Sequence, residues 1–230
     1  MMRVVSIVGI RKSGKTSTVT ALCEAIRKRG LRVGTCKTVF CPTFSIDKAG
    51  TNTFRHRQAG AELVCSRAKH ETAFLYPDAL TLREVLRRFE GFDWVLLEGD
   101  YLADVPRVVA AHTDADALPR TNDRTVCYTG RISQRDDIPL ALPRFNPLES
   151  ADDLLDYLTA HIAPIAPEDV PEAPLPPVPG VTDDGYCQCG CHHHQHKENA
   201  GISVTVDGCA LPLTEEQRAM IRSWMQHEGE

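Results

Sequence analysis

The chain has 230 residues, of which 42% are hydrophobic and 25% are charged, a composition typical of a folded protein with one full core and a small additional unit. The net charge of -5 provides no basic field that would favour nucleic acid, and no apolar run is long enough to cross a bilayer. The first residues lack the layout of a signal peptide, so we expect a cytoplasmic protein that binds neither nucleic acid nor membrane.

The N-terminal segment predicts a phosphate-binding loop. A strand-like apolar run precedes the motif G-x-x-x-x-G-K-T of residues 9–16, and a segment with helical spacing follows it. Gly9 and Gly14 allow a sharp turn that points backbone N–H groups at a phosphate, and the helix start adds partial positive charge. We expect Lys15 to reach the β- and γ-phosphates of a nucleotide and the Thr16 hydroxyl to bind Mg²⁺. Because both flanks fit, a chance match in a glycine-containing turn is the weaker alternative.

The next segments predict an α/β architecture. Residues 31–36 complete a strand, helix and strand, and such a βαβ unit predicts a parallel sheet with a right-handed crossover. Residues 40–53 are predicted to form a loop, in which Asp47 is either a carboxylate near Mg²⁺ and the attacking water or a solvated residue. Arg55 and His56 open a short helix, where a basic triplet either contacts phosphate or forms a solvated face.

Further elements are predicted from hydrophobic spacing and from capping residues. Capping boxes are expected at Thr81 and Ser150, which begin two helices. The residues between the last two strands of the domain, including Asp114 and Asp116, are expected to form a polar loop. Strands are predicted at residues 61–66, 72–75, 106–111 and 125–128, and helices at residues 81–89 and 150–162.

A second functional segment ends in an acidic residue. Four consecutive apolar residues, Trp94 to Leu97, are typical of a strand buried on both faces, and Glu98 follows at its carboxyl end. This is the Walker B arrangement, in which Glu98 would hold Mg²⁺ opposite Thr16, although the usual residue is Asp. The alternative is a carboxylate that caps a neighbouring loop. The guanine-recognition motif N-K-x-D is absent, so the sequence does not identify the base.

The C-terminal part of the chain has a different composition. Seven prolines lie between residues 163 and 180, and such a density favours an extended linker. The predicted organisation is a nucleotide-binding domain of residues 1–162, a Pro-rich linker of residues 163–186, and residues 187–230 with a Cys/His-rich tract, a β-hairpin and a helix. The hairpin is predicted around an Asp-Gly turn at residues 207–208.

The Cys/His tract, residues 187–196, predicts a metal site. Its cysteines alternate, so an extended backbone would place three thiols on one side, with imidazoles a few residues away. Thiolate and imidazole ligands suit Zn²⁺ or another transition metal, and the C-x-C-x-C spacing indicates an open site rather than a zinc ribbon. The alternative is an exposed low-complexity tract with incidental metal affinity. The candidate ligands are Cys187, Cys189, Cys191, His192, His194 and His196.

Three segments together resemble the molybdopterin-guanine dinucleotide biosynthesis protein B (MobB) family. They are the loop of residues 9–16, the stretch of residues 44–61 with its D-x-x-G turn and R-H-R-x-A-G-A helix, and the strand of residues 94–99. The resemblance implies a P-loop GTP-binding protein with Mg²⁺, weak hydrolysis and a homodimeric assembly. It further implies that the protein assists molybdopterin guanylyltransferase, which attaches GMP to molybdopterin.

By this resemblance, the nucleotide-binding residues would be Gly9, Lys12, Ser13, Gly14, Lys15, Thr16, Ser17, Arg55 and His56, and the catalytic residues would be Lys15, Asp47 and Glu98. Thr16 and Glu98 would lie at Mg²⁺. The chain departs from the family pattern, which has His, Pro and Asp at the positions of Thr38, Ala49 and Asn52. The Cys/His tract is not part of that pattern.

The sequence therefore predicts a three-layer α/β/α P-loop NTPase fold, with a mostly parallel sheet and a small C-terminal hairpin-helix unit. Three functions fit. The first is a GTP-binding accessory protein of molybdenum cofactor biosynthesis, a weak GTPase that acts as an adapter. The second is a GTP-dependent metallochaperone that loads a target enzyme through the Cys/His tract, with molybdoenzyme-maturation factors as partners. The third, a nucleotide-independent metal buffer, is disfavoured by the intact Lys15 and Thr16.

Overall fold

The computed structural model describes residues 1–39, 44–135, 137, 140–172, 204–206 and 209–211, the last two ranges at the level of strand pairing. The main strands are β1 (Arg3–Val8), β2 (Val33–Lys37), β5 (Trp94–Glu98), β6 (Arg107–Ala110) and β7 (Thr125–Thr129). They form a five-stranded parallel sheet in the order β2-β5-β1-β6-β7. The central strand, β1, lies between β5, which ends at Glu98, and β6.

Helices cover both faces of this sheet, because alternate residues of its strands point to opposite sides. On one face, α1 (Lys15–Lys28) and α5 (Ala151–His161) pack with Ile7 and Leu96 of the strands. On the other face, α3 (Leu82–Arg87) packs its buried Leu86 with alternate residues of the same strands. The predicted three-layer α/β/α fold is therefore confirmed.

A short hairpin and helix lie between β2 and α3 in the chain. Helix α2 (Asn52–Gln58) starts with the Thr51 hydroxyl accepting a hydrogen bond from Phe54 N. Strands β3 (Val64–Arg67) and β4 (Thr72–Leu75) pair antiparallel and form a separate two-stranded sheet. The predicted strands are thus present, while α2 begins earlier than the sequence suggested.

Of the two predicted capping boxes, one is confirmed and one is wrong. The Thr81 hydroxyl accepts from Glu84 N, and the Glu84 carboxylate accepts from Thr81 N in return. Ser150 instead donates its hydroxyl to the carbonyl oxygen of Asn146, at 3.2 Å, so this side chain does not cap α5. The spacing is compatible with a capping box, but the Ser150 hydroxyl forms its hydrogen bond with the preceding turn instead.

The predicted polar loop between β6 and β7 contains regular structure. A short helix, α4 (Asp114–Ala117), begins after Thr113, whose hydroxyl accepts from Asp116 N, and a 3-10 turn follows at Leu118–Arg120. Two aspartates in the first turn favour this helix through its partial positive charge. The buried Ala117 anchors it on β6 and β7. The sequence shows no apolar periodicity that would predict this helix, because only one of its residues is buried.

The first part of the predicted linker packs on the domain. Ile165 forms an antiparallel bridge with Met2, in which each residue donates its N–H to the carbonyl of the other at 2.8 and 2.9 Å. A 3-10 turn at Pro167–Asp169 leads to Val170, which is fully buried beside Met2 and Leu86. Residues 163–172 are therefore a docked segment, held by a strand bridge and by apolar burial that proline content does not reveal.

At the C-terminus, β8 (Val204–Val206) and β9 (Cys209–Leu211) pair antiparallel with Val206 opposite Cys209, as the sequence predicts. The turn at residues 207–208, the Cys/His tract and the predicted helix at residues 214–226 lie outside the described residues. Within the described ranges, no helix is both long enough and apolar enough to span a membrane.

The docked segment yields a stability prediction. Val170→Ala in the full chain should lower the free energy of unfolding by about 1–3 kcal/mol, because it removes buried methyl groups and leaves a cavity. Leu148→Ala, at a side chain that is 76% exposed, should change it by less than about 0.5 kcal/mol. Urea denaturation followed by circular dichroism measures both, and equal effects would show that the segment contributes nothing to the domain.

Candidate nucleotide-binding site

The phosphate-binding loop joins the carboxyl end of β1 to the start of α1. Its two motif glycines have positive φ values, 155° at Gly9 and 103° at Gly14. A Cβ atom at Gly9 would lie 2.1 Å from the carbonyl oxygen of Ala110, so no other residue fits there without movement of β6. Lys12 also has a positive φ, of 61°. The loop predicted from the glycine motif therefore has the backbone turn that can expose N–H groups to a ligand.

Lys15 lies inside the loop and is half-buried. Its Nζ donates to the carbonyl oxygens of Gly9 and Ile10, at 2.8 and 2.6 Å. Burial lowers the pKa of Lys15, Glu98 raises it in part, and the nearby cations Lys37 and Arg120 lower it further. An anion bound in this loop would oppose the lowering effects, because it favours the charged ammonium.

Glu98 faces the loop from the neighbouring strand. Parallel pairing places it opposite Ile7 of β1 on one side and Lys37 of β2 on the other. Its Oε1 atom accepts a hydrogen bond from the Thr16 hydroxyl at 2.9 Å and pairs with the Lys37 ammonium at 2.9 Å. The residue is only 8% exposed. The structure thus brings Thr16 and Glu98 together, at the edge of the sheet where α/β proteins bind ligands.

A glycine that the sequence analysis missed supports the loop from β7. Gly130 has a φ of 85°, and a Cβ atom there would lie 2.3 Å from the Ser13 carbonyl oxygen and 2.8 Å from that of Ala111. Ser13 is buried beneath this contact, and its hydroxyl has no hydrogen-bond partner among the described residues. A glycine directly after a predicted strand of a parallel sheet was the available signal.

Tyr101 and Arg107 also hold the loop, and neither was predicted. The Tyr101 hydroxyl accepts from Gly9 N at 3.2 Å and donates to the Gly9 carbonyl oxygen. The buried Arg107 guanidinium donates to the backbone carbonyls of Tyr101 and Arg120, at 2.7 and 3.3 Å. Burial lowers the pKa of Arg107. No local motif marks either residue, because the partner of Tyr101 lies 92 residues away and Arg107 binds backbone carbonyls, which any residue type can offer.

Three predicted site residues lie on α2 or in the segment before it. Asp47 accepts hydrogen bonds from Thr51 and Thr53 hydroxyls and from Lys48 N, at 2.7, 2.9 and 3.0 Å, and these bonds lower its pKa. Arg55 and His56 are exposed on α2. The hydrogen-bond partners of Asp47 lie in its own segment, between Lys48 and Thr53. The predicted roles of Asp47, Arg55 and His56 in Mg²⁺ and phosphate binding remain predictions.

The donor set at Thr16 and Glu98 fits Mg²⁺. One hydroxyl and one carboxylate oxygen match a metal that takes few protein ligands and completes its shell with phosphates and water. The buried Ser13 hydroxyl offers one further unpartnered polar atom in the loop. In the described part of the chain, no group of three or more His, Cys, Asp and Glu side chains could hold a metal ion. The predicted ligands of the Cys/His tract lie outside that part.

The sheet order, the glycine turn and the facing Lys15, Thr16 and Glu98 define the class: a P-loop NTPase-like α/β protein. Residues 4–127 match the family model of molybdopterin guanine dinucleotide synthesis protein B, MobB. The match spans more than half of the chain, and the protein belongs to the MobB family.

Known relatives agree with this assignment. A Methanocaldococcus jannaschii protein named as a molybdopterin-guanine dinucleotide biosynthesis adapter is 27% identical over 130 residues, which are 54% of this chain and 53% of the relative. The chain thus matches about half the length of that relative. The Bacillus subtilis MobB crystal structure has a TM-score of 0.54 at 22% identity, covering 68% of this chain and 98% of its own. A MobB homologue from Bacillus stearothermophilus gives 0.53 at 22% identity, covering 69% and 99%.

The contact at Gly130 generates a matched pair of variants. Gly130→Ala should weaken GDP binding about tenfold or more, because the new methyl group displaces the Ser13 carbonyl and with it the loop. Gly30→Ala is the control: its φ is 75°, but a Cβ atom there has no neighbour within 4 Å. It should reduce stability by about 1 kcal/mol through backbone strain alone and leave GDP affinity unchanged. Isothermal titration measures both, and equal affinities would contradict a supporting role for Gly130.

Proposed function

We propose that this protein is a GTP-binding adapter in the formation of molybdopterin guanine dinucleotide. The observation that carries the proposal is the pairing of Thr16 with Glu98 beside the glycine turn, in a chain of the MobB family. A hydroxyl at the start of α1 and a carboxylate at the end of β5 are the two groups that P-loop proteins place at the nucleotide's Mg²⁺. The name of the M. jannaschii relative, an adapter of the same biosynthesis, supports the same role.

The proposed site uses its residues as follows. Backbone N–H groups between Gly9 and Gly14 hold the phosphates, and Lys15 exchanges its two backbone carbonyl partners for phosphate oxygens. Thr16 and Glu98 hold Mg²⁺, which when bound neutralises charge on the phosphate oxygens. Ser13 is buried within this cradle, Ser17 is exposed in the first turn of α1, and Lys12 is exposed in the loop.

We further propose that GTP hydrolysis at this site is weak. In this proposal Glu98 is engaged by Mg²⁺ beside Thr16, whose hydroxyl donates to it at 2.9 Å in the metal-free protein. A carboxylate held in this way is a poor general base for the attacking water. Asp47 is bound within its own segment. Slow turnover suits an adapter, whose bound nucleotide marks a state for a partner.

The partner in this proposal is molybdopterin guanylyltransferase, and the protein acts as a homodimer. Both the partner and the homodimer are inferred from membership of the MobB family. Guanylylation of molybdopterin by the purified transferase should rise when the protein and GTP are added. If no nucleotide gives an increase, the proposed adapter role is contradicted.

A Lys15→Ala variant tests the nucleotide site directly. Loss of charge-assisted hydrogen bonds, each contributing about 1.5–3 kcal/mol, should weaken GTP binding about 10- to 100-fold without unfolding the chain. Parallel titrations with GTP and ATP in Mg²⁺ determine the preferred base. Lys28→Ala on the same helix is the control, because the Lys28 side chain is 74% exposed and pairs with Asp152. Wild-type affinity in Lys15→Ala would refute the P-loop assignment.

A second candidate function rests on the Cys/His tract: a GTP-dependent metallochaperone, in which a separate C-terminal unit beyond a proline-rich linker carries Zn²⁺ or another transition metal. Three alternating cysteines next to a histidine run are its support. This function and the adapter role are compatible if metal and GTP binding are coupled, and coupling must then be reciprocal.

Replacing Cys187, Cys189 and Cys191 with Ser tests the tract. Zinc affinity, measured by competition with a chromophoric chelator, should fall about tenfold or more because thiolates are its strongest ligands. Cys65→Ser, at an exposed thiol of the nucleotide-binding domain, should have no effect. Unchanged zinc affinity in the triple variant would mean that the histidines act alone and would remove the basis for a thiolate site.

A further inference from the structure

Lys37 occupies a position that the proposed function does not explain. Its ammonium lies 2.9 Å from Glu98 Oε1, the same oxygen atom that accepts the Thr16 hydroxyl at 2.9 Å. The two ends of this ion pair differ in environment: the Glu98 side chain is 10% exposed and that of Lys37 is 64% exposed. The carboxylate is therefore fixed and the ammonium can move.

The backbone around Lys37 is held, so the movement is confined to its side chain. Lys37 is the last residue of β2 and lies opposite Glu98 in the parallel ladder. The next residue, Thr38, donates its N–H to the Glu98 carbonyl oxygen at 3.0 Å. A rotation of the long, exposed side chain removes the ammonium from Glu98 without disturbing the sheet.

A divalent cation at Thr16 and Glu98 cannot coexist with the ammonium in its observed place. Both positive groups would lie within a few ångströms of each other at one buried carboxylate, where like charges repel strongly. Thr16 can turn its hydroxyl oxygen to the metal and remain, whereas an ammonium has three donors and no acceptor and must leave.

We propose that Lys37 is a built-in competitor of the divalent metal: its ammonium neutralises Glu98 in the metal-free protein and must be displaced from Glu98 when the metal binds. This inference rests on the proposed nucleotide site. It makes Lys37 a positioning residue that sets how strongly the site depends on Mg²⁺. In the metal-free protein the ammonium also screens the phosphates of a bound nucleotide from the negative charge of Glu98.

The main alternative is that Lys37 and Glu98 form an ordinary surface ion pair, which would contribute little to stability and would not affect metal binding. Lys28 provides the comparison, since its ammonium also lies 2.9 Å from a carboxylate, Asp152, and its side chain is 74% exposed. Lys37→Met and Lys28→Met would each remove one positive charge from an exposed lysine that pairs with a carboxylate. Only Lys37 shares its carboxylate with the hydroxyl at the start of α1.

The experiment measures Mn²⁺ binding to the full-length protein saturated with GDP, by electron paramagnetic resonance of free Mn²⁺. Lys37→Met keeps the length of the side chain and removes the charge, and it should tighten Mn²⁺ binding about 3- to 10-fold. Lys37→Arg keeps the cation and should stay within about twofold of wild type, as should Lys28→Met. GDP affinity of each variant, measured first with a fluorescent analogue, verifies that the loop is folded.

Unchanged or weaker Mn²⁺ binding in Lys37→Met, with GDP binding retained, would overturn the competition while leaving the nucleotide site intact. Equal tightening in Lys28→Met would overturn it also, because the effect would then come from net charge. A wild-type protein that binds no GDP would overturn the proposed function and this inference together. Tightening in Lys37→Met alone, reversed in Lys37→Arg, is the result that supports it.

Discussion

The site depends on how closely the phosphate-binding loop packs against the ends of β6 and β7. At Gly9 and Gly130 the backbone approaches neighbouring carbonyl oxygens so nearly that a methyl group would overlap them. This packing buries Ser13 and turns the carbonyls of Gly9 and Ile10 toward Lys15. Buried backbone groups must be satisfied, so the lysine ammonium stabilises the loop as well as serving as a ligand for phosphate.

The charges around this loop are unbalanced. Lys37 and Arg120 are close enough to Lys15 to lower its pKa, and the Glu98 carboxylate opposes them by raising it. A half-buried site with excess positive charge favours an anion. A nucleotide phosphate with a metal fits better than phosphate alone, because a cation beside the buried Glu98 carboxylate compensates its negative charge. In the metal-free protein the Lys37 ammonium supplies this compensating positive charge.

The sequence predicted the parts of the structure that are determined locally. Regular apolar spacing located the sheet strands and the large helices, and the glycine-lysine motif located the loop, since both patterns act within a few residues. The opposition of Thr16 and Glu98 followed from the rule that parallel strands end at one edge. Contacts between distant segments, such as Gly130 with Ser13, leave no trace in local spacing.

Two segments have more structure than the sequence analysis expected, for the same physical reason. The segment around α4 and residues 163–172 are polar or proline-rich, and each is held by a few buried residues and single hydrogen bonds. Such anchoring matters for the site, because the segment around α4 carries Arg120 toward Lys15. Arg107 holds the carbonyl of Arg120 with one nitrogen and that of Tyr101 with the other, and Tyr101 holds Gly9. One buried guanidinium therefore links Tyr101, which holds the loop, to the backbone of Arg120, and the geometry of the site depends on a residue that lies outside the phosphate-binding loop.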